Sequence, residues 1–474
     1  MIGRLAVRSL TAHPVRTAVL AAGFGVGVAV MAILLGVGEI VLEQSRAPAL
    51  AGGGDVVIWP APQVPARLLL AGTLQSEALG PQVRVAAPFH TATLFLVRNG
   101  RTTRVEARGG IPSLERALGD PETATTPAWR DSPDDIAWTH DTPERTLRVI
   151  DRFHPIPDAP EWAASWAEWL YFNGRRAGAR FYLTFLVGPK TEDGRRTAGV
   201  RLQLDRGGRV ETFSASQPIS EDDALGAPDL TIGASSVRLE GMRYRLHLDL
   251  RDAAGRAVRG DLTLDAAPGR LVPPLEITGA RGWRTGYVVP VMSGALNGAL
   301  EVDGQPLSFA GGTGYHDHNW GFWEGVSWQW GQVQQGDVSL LFGRVFPPRA
   351  AADPDRIPGF VGVVGPEGPL GYTNEVEITE TNNARGDPQT VLVVGRGGIL
   401  DVRLSFNVES LVTTPAAGSG PRASGLDFLQ MRGTYTVTGR AGSRPLNFTA
   451  PGSAETFRGR APAAPPSARG AGGG

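Results

Sequence analysis

The run Gly311–Gly321 (GGTGYHDHNWG) carries the densest set of chemically active side chains in this sequence. It places a phenol, a carboxyl group, two imidazoles, an amide and an indole at six consecutive positions. Glycines on both sides are typical of a strand that another group approaches closely. Because successive side chains of a strand point to opposite faces, the run predicts a strand with two chemically different faces. One face would carry Tyr315, Asp317 and Asn319, and the other His316, His318 and Trp320.

Strand patterns continue through most of the chain after Pro160, as short apolar and aromatic runs separated by turn residues. In Tyr244–Leu250, for example, polar and apolar residues alternate, as they do in a half-buried strand. The high content of glycine (63 residues) and proline (37 residues) also suits a turn-rich β protein. The runs are too many for one small barrel. The sequence therefore predicts a mainly β protein with two antiparallel barrels that divide near Gly282.

The composition excludes several classes of function. The 46 basic and 47 acidic residues leave a net charge of −1, which gives no electrostatic basis for binding nucleic acid. The absence of cysteine excludes disulfides and thiolate metal sites. His316 and His318 have a spacing found in metal sites, but the sequence offers no third ligand beside them. We therefore expect no metal and no other cofactor.

The N-terminal region contains a segment without charged residues, Thr17–Gly38, which is long enough to cross a membrane. Basic residues precede it and acidic residues follow it: Arg4, Arg8 and Arg16, then Glu39 and Glu43. The positive-inside rule places the N-terminus in the cytoplasm and the bulk of the chain outside, in a single-pass protein of the cell (inner) membrane. A cleaved signal peptide is the alternative, with Ala49–Ala51 as its cleavage site. That site lies far beyond the apolar run, which favours an uncleaved anchor.

Two motifs, Glu168–Gly174 (EWLYFNG) and Gly314–Gly321 (GYHDHNWG), occur in the order and separation of a known family. Together they resemble the carotenoid 1,2-hydratase (hydroxyneurosporene synthase) and AttH-like family. The resemblance covers about residues 150–459, with weaker agreement at Tyr287–Pro290, Trp328–Trp330 and Gly452–Gly459. It implies two lipocalin-like β-barrel domains.

The resemblance also implies catalytic residues. In the hydratases, water adds across the terminal double bond of an acyclic carotene, and the acid is an aspartate two residues after a tyrosine. The matching residues are Asp317 and Tyr315. The chemistry also needs a group that orients the attacking water, for which Tyr315 or a nearby histidine, His316 or His318, is the candidate. Protonation of an alkene requires a neutral carboxylic acid, which burial in an apolar site favours. The hydratases also carry a His-x-Trp pair about 27 residues before the tyrosine, which Tyr287–Val291 replaces here.

Aromatic residues cluster around both motifs. In a barrel such side chains most often fill the core, but they also stack on apolar ligands. The candidates for ligand binding are Trp169, Tyr171, Trp320, Trp323, Trp328 and Trp330.

The first 120 residues loosely resemble the first helix and extracytoplasmic core of ABC-transporter permeases of the macrolide-export type. A nucleotide-binding motif and the remaining permease helices are missing. The chain is therefore no transporter by itself, but its partners could include ABC-transporter components.

The predicted organisation is a cytoplasmic N-terminus (1–16), a transmembrane helix (17–40), a permease-core-like module with a linker (41–135), two lipocalin-like domains (136–281 and 282–458) and a disordered tail (459–474). The predicted function is to bind, and in one interpretation to modify, a hydrophobic isoprenoid or lipid-like molecule. The alternatives are a hydro-lyase of the carotenoid hydratase type and an accessory protein of an ABC exporter. The lyase interpretation predicts a lined cavity with Asp317 facing inward. The binding interpretation predicts a cavity without an isolated acid.

Overall fold

The computed structural model describes residues 12–50, 80–98, 101–120, 142–366, 368–397, 399–415 and 426–459, with a few positions between 56 and 135. The predicted tail, Arg4 and Arg8 lie outside the described residues. The helices of the described part are α1 (Pro14–Leu50), α2 (Pro112–Leu118), α3 (Pro143–Ile150) and α4 (Glu221–Leu225). The chain forms two compact units, of which one contains α1 and α2 and the other contains both large sheets.

In the first unit, α1 includes the segment Pro14–Leu34, whose mean hydropathy is 2.3. By length and composition this segment can cross a membrane, although signal sequences share these features. Strands β1 (Phe89–Arg98) and β2 (Arg101–Gly110) pair as an antiparallel hairpin.

The first large sheet has twelve strands among the described residues. They are β3 (Trp166–Arg176), β4 (Ala179–Lys190), β5 (Arg196–Arg206), β6 (Arg209–Ser216), β7 (Leu230–Ile232), β8 (Ser235–Glu240), β9 (Arg243–Arg251), β10 (Ala257–Asp265), β11 (Val272–Thr278), β12 (Arg284–Val302), β13 (Gln305–Ser308) and β14 (Gly312–Phe322). Neighbouring strands pair antiparallel in the cyclic order β3-β4-β5-β6-β9-β10-β12-β14, and β14 returns to β3. The β6–β9 step consists of the single pair Ser214 and Arg251.

Side chains alternate between the two faces of each strand, and those on the inner face fill the inside of this ring. In β3 every second residue from Trp166 to Gly174 is buried, whereas Trp169 and Tyr171 between them are half-buried. Of the buried residues, Trp166, Leu170 and Phe172 join a large apolar cluster with Phe185 and Phe213. The interior of the ring is therefore packed. Trp169 and Tyr171 lie on the opposite, outer face of β3.

In the described part of the chain, the second large sheet has nine strands in the order β18-β17-β16-β15-β23-β22-β21-β20-β19. They are β15 (Ser327–Gln335), β16 (Val338–Phe346), β17 (Phe360–Gly365), β18 (Gly368–Thr373), β19 (Val376–Asn382), β20 (Pro388–Gly397), β21 (Leu400–Pro415), β22 (Leu426–Ala441) and β23 (Arg444–Gly459). One face buries its own core, which includes Phe342, Phe406 and Tyr435. A third cluster packs Tyr287 and Tyr315 of the first sheet against Trp330 and Phe360 of the second. The two sheets thus meet through a shared apolar layer.

The prediction of a mainly β protein with antiparallel strands is confirmed, but the sheets change later in the chain than expected. The first sheet continues to Phe322 and the second begins at Ser327, whereas the sequence suggested Gly282. The reason is that β12 and β14 close the first ring, which without them would end in open edges at β3 and β10. How the chain divides into domains stays a prediction.

Candidate active site between the two sheets

The predicted two-faced strand is β14, which pairs with β3 along its whole length. Asp317 lies opposite Tyr171, and His318 lies opposite Leu170. Directly opposed residues share a face of the sheet. Asp317 and Tyr171 therefore point outward to the second sheet, while His318 and Leu170 point into the ring. The two motifs are brought together by this pairing.

A cavity of about 230 Å³ lies where the outer face of the first sheet meets the second sheet. It is smaller than the ~300–1,000 Å³ typical of pockets for drug-sized ligands. From the first sheet it is lined by Trp169, Tyr171, Tyr182, Thr184, Leu186, Arg201, Gln203, Thr285, Tyr287, Asp317 and Asn319. Trp323, Trp328, Trp330, Val345, Phe428, Gln430 and Glu455 complete the lining. The wall thus combines eight aromatic side chains with eight polar or charged ones and two aliphatic ones.

Asp317 is the buried acid of this cavity, with 5% of its surface exposed. Asn319 Nδ2 donates a hydrogen bond of 2.6 Å to Asp317 Oδ1. Burial, and then the nearby charge of Glu455, raise the pKa of Asp317 well above its usual range. Among the described residues, no arginine or lysine forms an ion pair with Asp317. Burial without such a partner therefore favours the neutral form of its carboxyl group.

Glu455 of β23 is a second acid in the cavity, and sequence reasoning missed it. Trp328 Nε1 donates to Glu455 Oε2 at 3.1 Å, and Gln430 Nε2 donates to Oε1 at 3.5 Å. Burial raises the pKa of Glu455, although these donors and Tyr171 oppose the increase. A signal was present in Gly452–Gly459 (GSAETFRG), the predicted closing strand, where Glu455 is the one acidic residue.

The predicted ligand-binding residues divide into two groups. Trp169, Tyr171, Trp323, Trp328 and Trp330 line the cavity. Trp320 does not, because it lies on the other face of β14 and stacks on His154 with 4.5 Å between ring centroids. At the position of the hydratases' His-x-Trp pair, Tyr287 contributes a ring that lines the cavity and stacks on Phe360.

Of the four predicted catalytic residues, only Asp317 lines the cavity. Tyr315 lies beside it with its hydroxyl oxygen accepting a 3.2 Å hydrogen bond from Trp330 Nε1. His316 and His318 do not reach the cavity, because the alternation of β14 directs them into the ring. From inside the ring, His316 and His318 cannot orient water in the cavity.

Inside the ring, the two histidines belong to a buried polar cluster with Asp151 and Glu168. His316 Nε2 lies 3.0 Å from Asp151 Oδ2, which also accepts a 2.7 Å hydrogen bond from the Tyr244 hydroxyl. His318 Nε2 lies 2.9 Å from Glu168 Oε1. Burial by itself would raise the pKa of Asp151, but His316 and His318 outweigh it and hold the pKa at about 2. Burial lowers the pKa of His318, but the two carboxylates raise it to about 9.

The raised pKa of Asp317 has a consequence for stability. The folded chain holds a proton on Asp317 that the unfolded chain has released above pH ~4, so the free energy of unfolding falls as pH rises. We expect a contribution of about −1.4 kcal/mol per pH unit until the pH reaches the folded pKa. Urea unfolding at several pH values should show this slope in the wild type and its loss in Asp317→Asn. Equal slopes in both proteins would mean that Asp317 is ionised in the folded state.

Comparison with known proteins gives structural similarities only. No protein-family model and no curated protein matches the sequence. The chain is similar in structure to AttH-type proteins. For an AttH-like protein from Nitrosomonas europaea, the TM-score is 0.43 at 15% identity, over 64% of this chain and 99% of that chain. For kievitone hydratase from Nectria haematococca, it is 0.41 at 13% identity, over 65% and 94%. For CghA, it is 0.43 at 12% identity, over 68% and 95%.

These similarities agree with the resemblance predicted from the two motifs, at low sequence identity. They do not indicate what this chain binds or converts.

Proposed function

We propose that the protein is an enzyme of the hydro-lyase type that adds water to a carbon–carbon double bond of a hydrophobic, isoprenoid or lipid-like molecule. The observation that carries the proposal is a neutral, buried carboxyl group, Asp317, which faces an aromatic cavity and lacks a basic partner among the described residues. A protein that only binds an apolar ligand gains nothing from such an acid, since burying a carboxyl group without an ionic partner costs stability. The proposal rests on the site and not on the similar structures.

The chemistry follows from the arrangement. Asp317 transfers its proton to one carbon of the double bond, and the π electrons form the new C–H bond. The other carbon becomes a carbocation, which the faces of Trp169, Trp328 and Trp330 stabilise. A water oxygen then bonds to that carbon and must lose a proton. The sum is one alkene and one water converted to one alcohol.

Glu455 is the group that can accept the proton from water. Burial raises the pKa values of both carboxyl groups. Glu455 accepts hydrogen bonds from Trp328 and Gln430, which favour its ionised form, and its charge in turn favours the neutral form of Asp317. Asp317 as the acid and Glu455 as the base is therefore the division of roles that the environments favour. A proton transfer from Glu455 back to Asp317, directly or through water, restores both groups.

The cavity size limits the substrate. A volume of about 230 Å³ cannot enclose a whole long isoprenoid, so only its terminal part would enter. The rest of the isoprenoid would stay outside the cavity, which suits a substrate delivered from a membrane.

The apolar helix α1 supports a location at a membrane. We propose that α1 anchors the protein, with its N-terminus in the cytoplasm and its bulk outside. Protease digestion of intact spheroplasts tests this orientation. The role of an ABC-exporter accessory protein stays an untested alternative.

The function is tested with acyclic isoprenoids that end in a trisubstituted double bond, such as squalene, dispersed in detergent with the purified full-length protein in ¹⁸O-labelled water. We expect a tertiary alcohol that carries one ¹⁸O atom, detected by mass spectrometry, because the attacking oxygen comes from solvent. The matched control is Asp261→Asn, which changes an exposed carboxylate on the first sheet. Binding of the isoprenoids without any labelled product would favour a binding protein instead.

A further inference from the structure

Three side chains with metal-ligand atoms converge inside the first sheet, on the face of β14 opposite to the cavity. They are His154, between α3 and β3, Glu168 of β3 and His318 of β14. Their ligand atoms all lie within 4.8 Å of one another. The sequence had offered the pair His316 and His318 without a third ligand. The fold supplies different companions for His318, because the β3–β14 pairing and the loop before β3 bring Glu168 and His154 to it.

The contacts of this group converge on the Glu168 carboxylate. The backbone nitrogen of His154 donates to both of its oxygens, at 3.0 Å to Oε1 and 2.9 Å to Oε2. Glu168 Oε1 also lies 2.7 Å from His154 Nδ1 and 2.9 Å from His318 Nε2. A single cation between the two imidazoles and the carboxylate would take the place of the two ring N–H contacts and leave the backbone donor at Oε2.

The contact between His318 and Asp151 also suits a metal site. His318 Nδ1 lies 3.2 Å from Asp151 Oδ1, and neither of these buried atoms has another hydrogen-bond partner in the described part of the chain. When a histidine binds a metal through one nitrogen, the other nitrogen carries the proton and commonly faces a carboxylate that fixes the ring. Asp151 is held in place for this purpose by His316 and Tyr244. His316 cannot be a ligand, since its nitrogens contact Asp151 and the Tyr171 carbonyl oxygen.

We propose that His154, Glu168 and His318 bind a divalent transition-metal ion of the zinc type, with Asp151 orienting His318. Two imidazoles and one carboxylate form a donor set that Zn²⁺ accepts, whereas Mg²⁺ and Ca²⁺ prefer oxygen ligands alone. The side chain of His154 is 42% exposed, while Glu168 and His318 are fully buried. The ion would therefore enter beside His154, where a water molecule can occupy a fourth position. The ion would link the segment before β3 to the two central strands.

The test uses untagged, full-length protein in detergent, stripped with EDTA and titrated with Co²⁺, whose absorption spectrum reports tetrahedral coordination by nitrogen and oxygen. We expect one equivalent of bound Co²⁺, displaced by one equivalent of Zn²⁺, with a higher melting temperature for the loaded protein. His154→Phe keeps a ring against Trp320 but removes both nitrogens, and it should lose this equivalent. The matched control is His247→Ala, which removes an exposed histidine that is also paired with a carboxylate, Asp261.

Two results would overturn the proposal. One is the absence of stoichiometric Co²⁺ binding by the wild type. The other is equal binding by wild type and His154→Phe, which would locate the ion elsewhere. The circular dichroism and melting temperature of the EDTA-treated proteins show whether His154→Phe has kept the fold. If that variant unfolds, His154→Gln provides the same comparison, because an amide side chain is a weak zinc ligand and the position is partly exposed.

Discussion

Replacement of Asp317 by asparagine should remove the water-addition activity while the isoprenoid still binds. Asparagine keeps the size of the side chain and an oxygen that accepts the hydrogen bond from Asn319, but it has no proton to give to an alkene. A positioned general acid contributes about 10²–10⁴-fold to a rate, so we expect a loss of at least about 10²-fold in labelled alcohol formed per unit time. Binding is followed through the fluorescence of the tryptophans that line the cavity.

The control for this variant is Asn319→Ala, which removes the donor to Asp317 but leaves the acid in place. It should retain most of the activity, because loss of a hydrogen bond to the ionised form raises the pKa of Asp317 further. The structural alternative is that Asp317 only stabilises its strand. In that case Asp317→Asn would lower the melting temperature without changing the formation of alcohol.

Removal of the Asp151 carboxylate should be the most destabilising single change in the interior of the first sheet. In Asp151→Ala, His316 Nε2 and the Tyr244 hydroxyl lose their acceptor in a site that excludes water. Breaking a buried ion pair by removing one partner costs about 3–5 kcal/mol, because the other charge stays buried without compensation. We expect a decrease of this size in the free energy of unfolding, measured by urea denaturation in EDTA.

The matched control is Asp261→Ala. Asp261 Oδ1 contacts His247 Nδ1 at 2.8 Å, so the pair has the same chemistry, but the Asp261 side chain is 80% exposed. A pair screened by solvent contributes little, and we expect a change within about 0.5 kcal/mol. Similar losses in both variants would show that the buried cluster does not stabilise the fold more than a surface pair does.

The sequence was sufficient to predict which side chains share a face of a strand. Alternation along Gly311–Gly321 predicted which side chains share a face, and the structure places Asp317 and His318 on opposite faces as expected. Trp169 and Tyr171 became candidates because aromatic residues cluster around the two motifs, and in β3 they alternate with buried residues. The exception, Trp320, follows from the same rule, because it lies on the histidine face of β14.

The partners from distant strands could not be predicted. Asp151 and His316 are 165 positions apart, and Glu168 and His318 are 150 positions apart. Glu455 comes from the last strand of the second sheet. Each of these contacts depends on which strands pair and on how the two sheets meet, and local periodicity contains neither. The same limit explains why the sequence suggested a division near Gly282, whereas the sheets change between Phe322 and Ser327. The turn residues near Gly282 do not reveal that β12 and β14 close the first ring.

The central claim is that Asp317 is protonated at the pH at which the protein works. Carbon-13 NMR of protein labelled at the aspartate carboxyl carbon measures this directly, with the Asp317 signal assigned by its loss in Asp317→Asn. We predict that this signal keeps the chemical shift of a neutral carboxyl group through neutral pH, well above the ordinary aspartate pKa of about 3.9. A signal that titrates near that ordinary value, and is that of a carboxylate at neutral pH, would contradict the proposed acid.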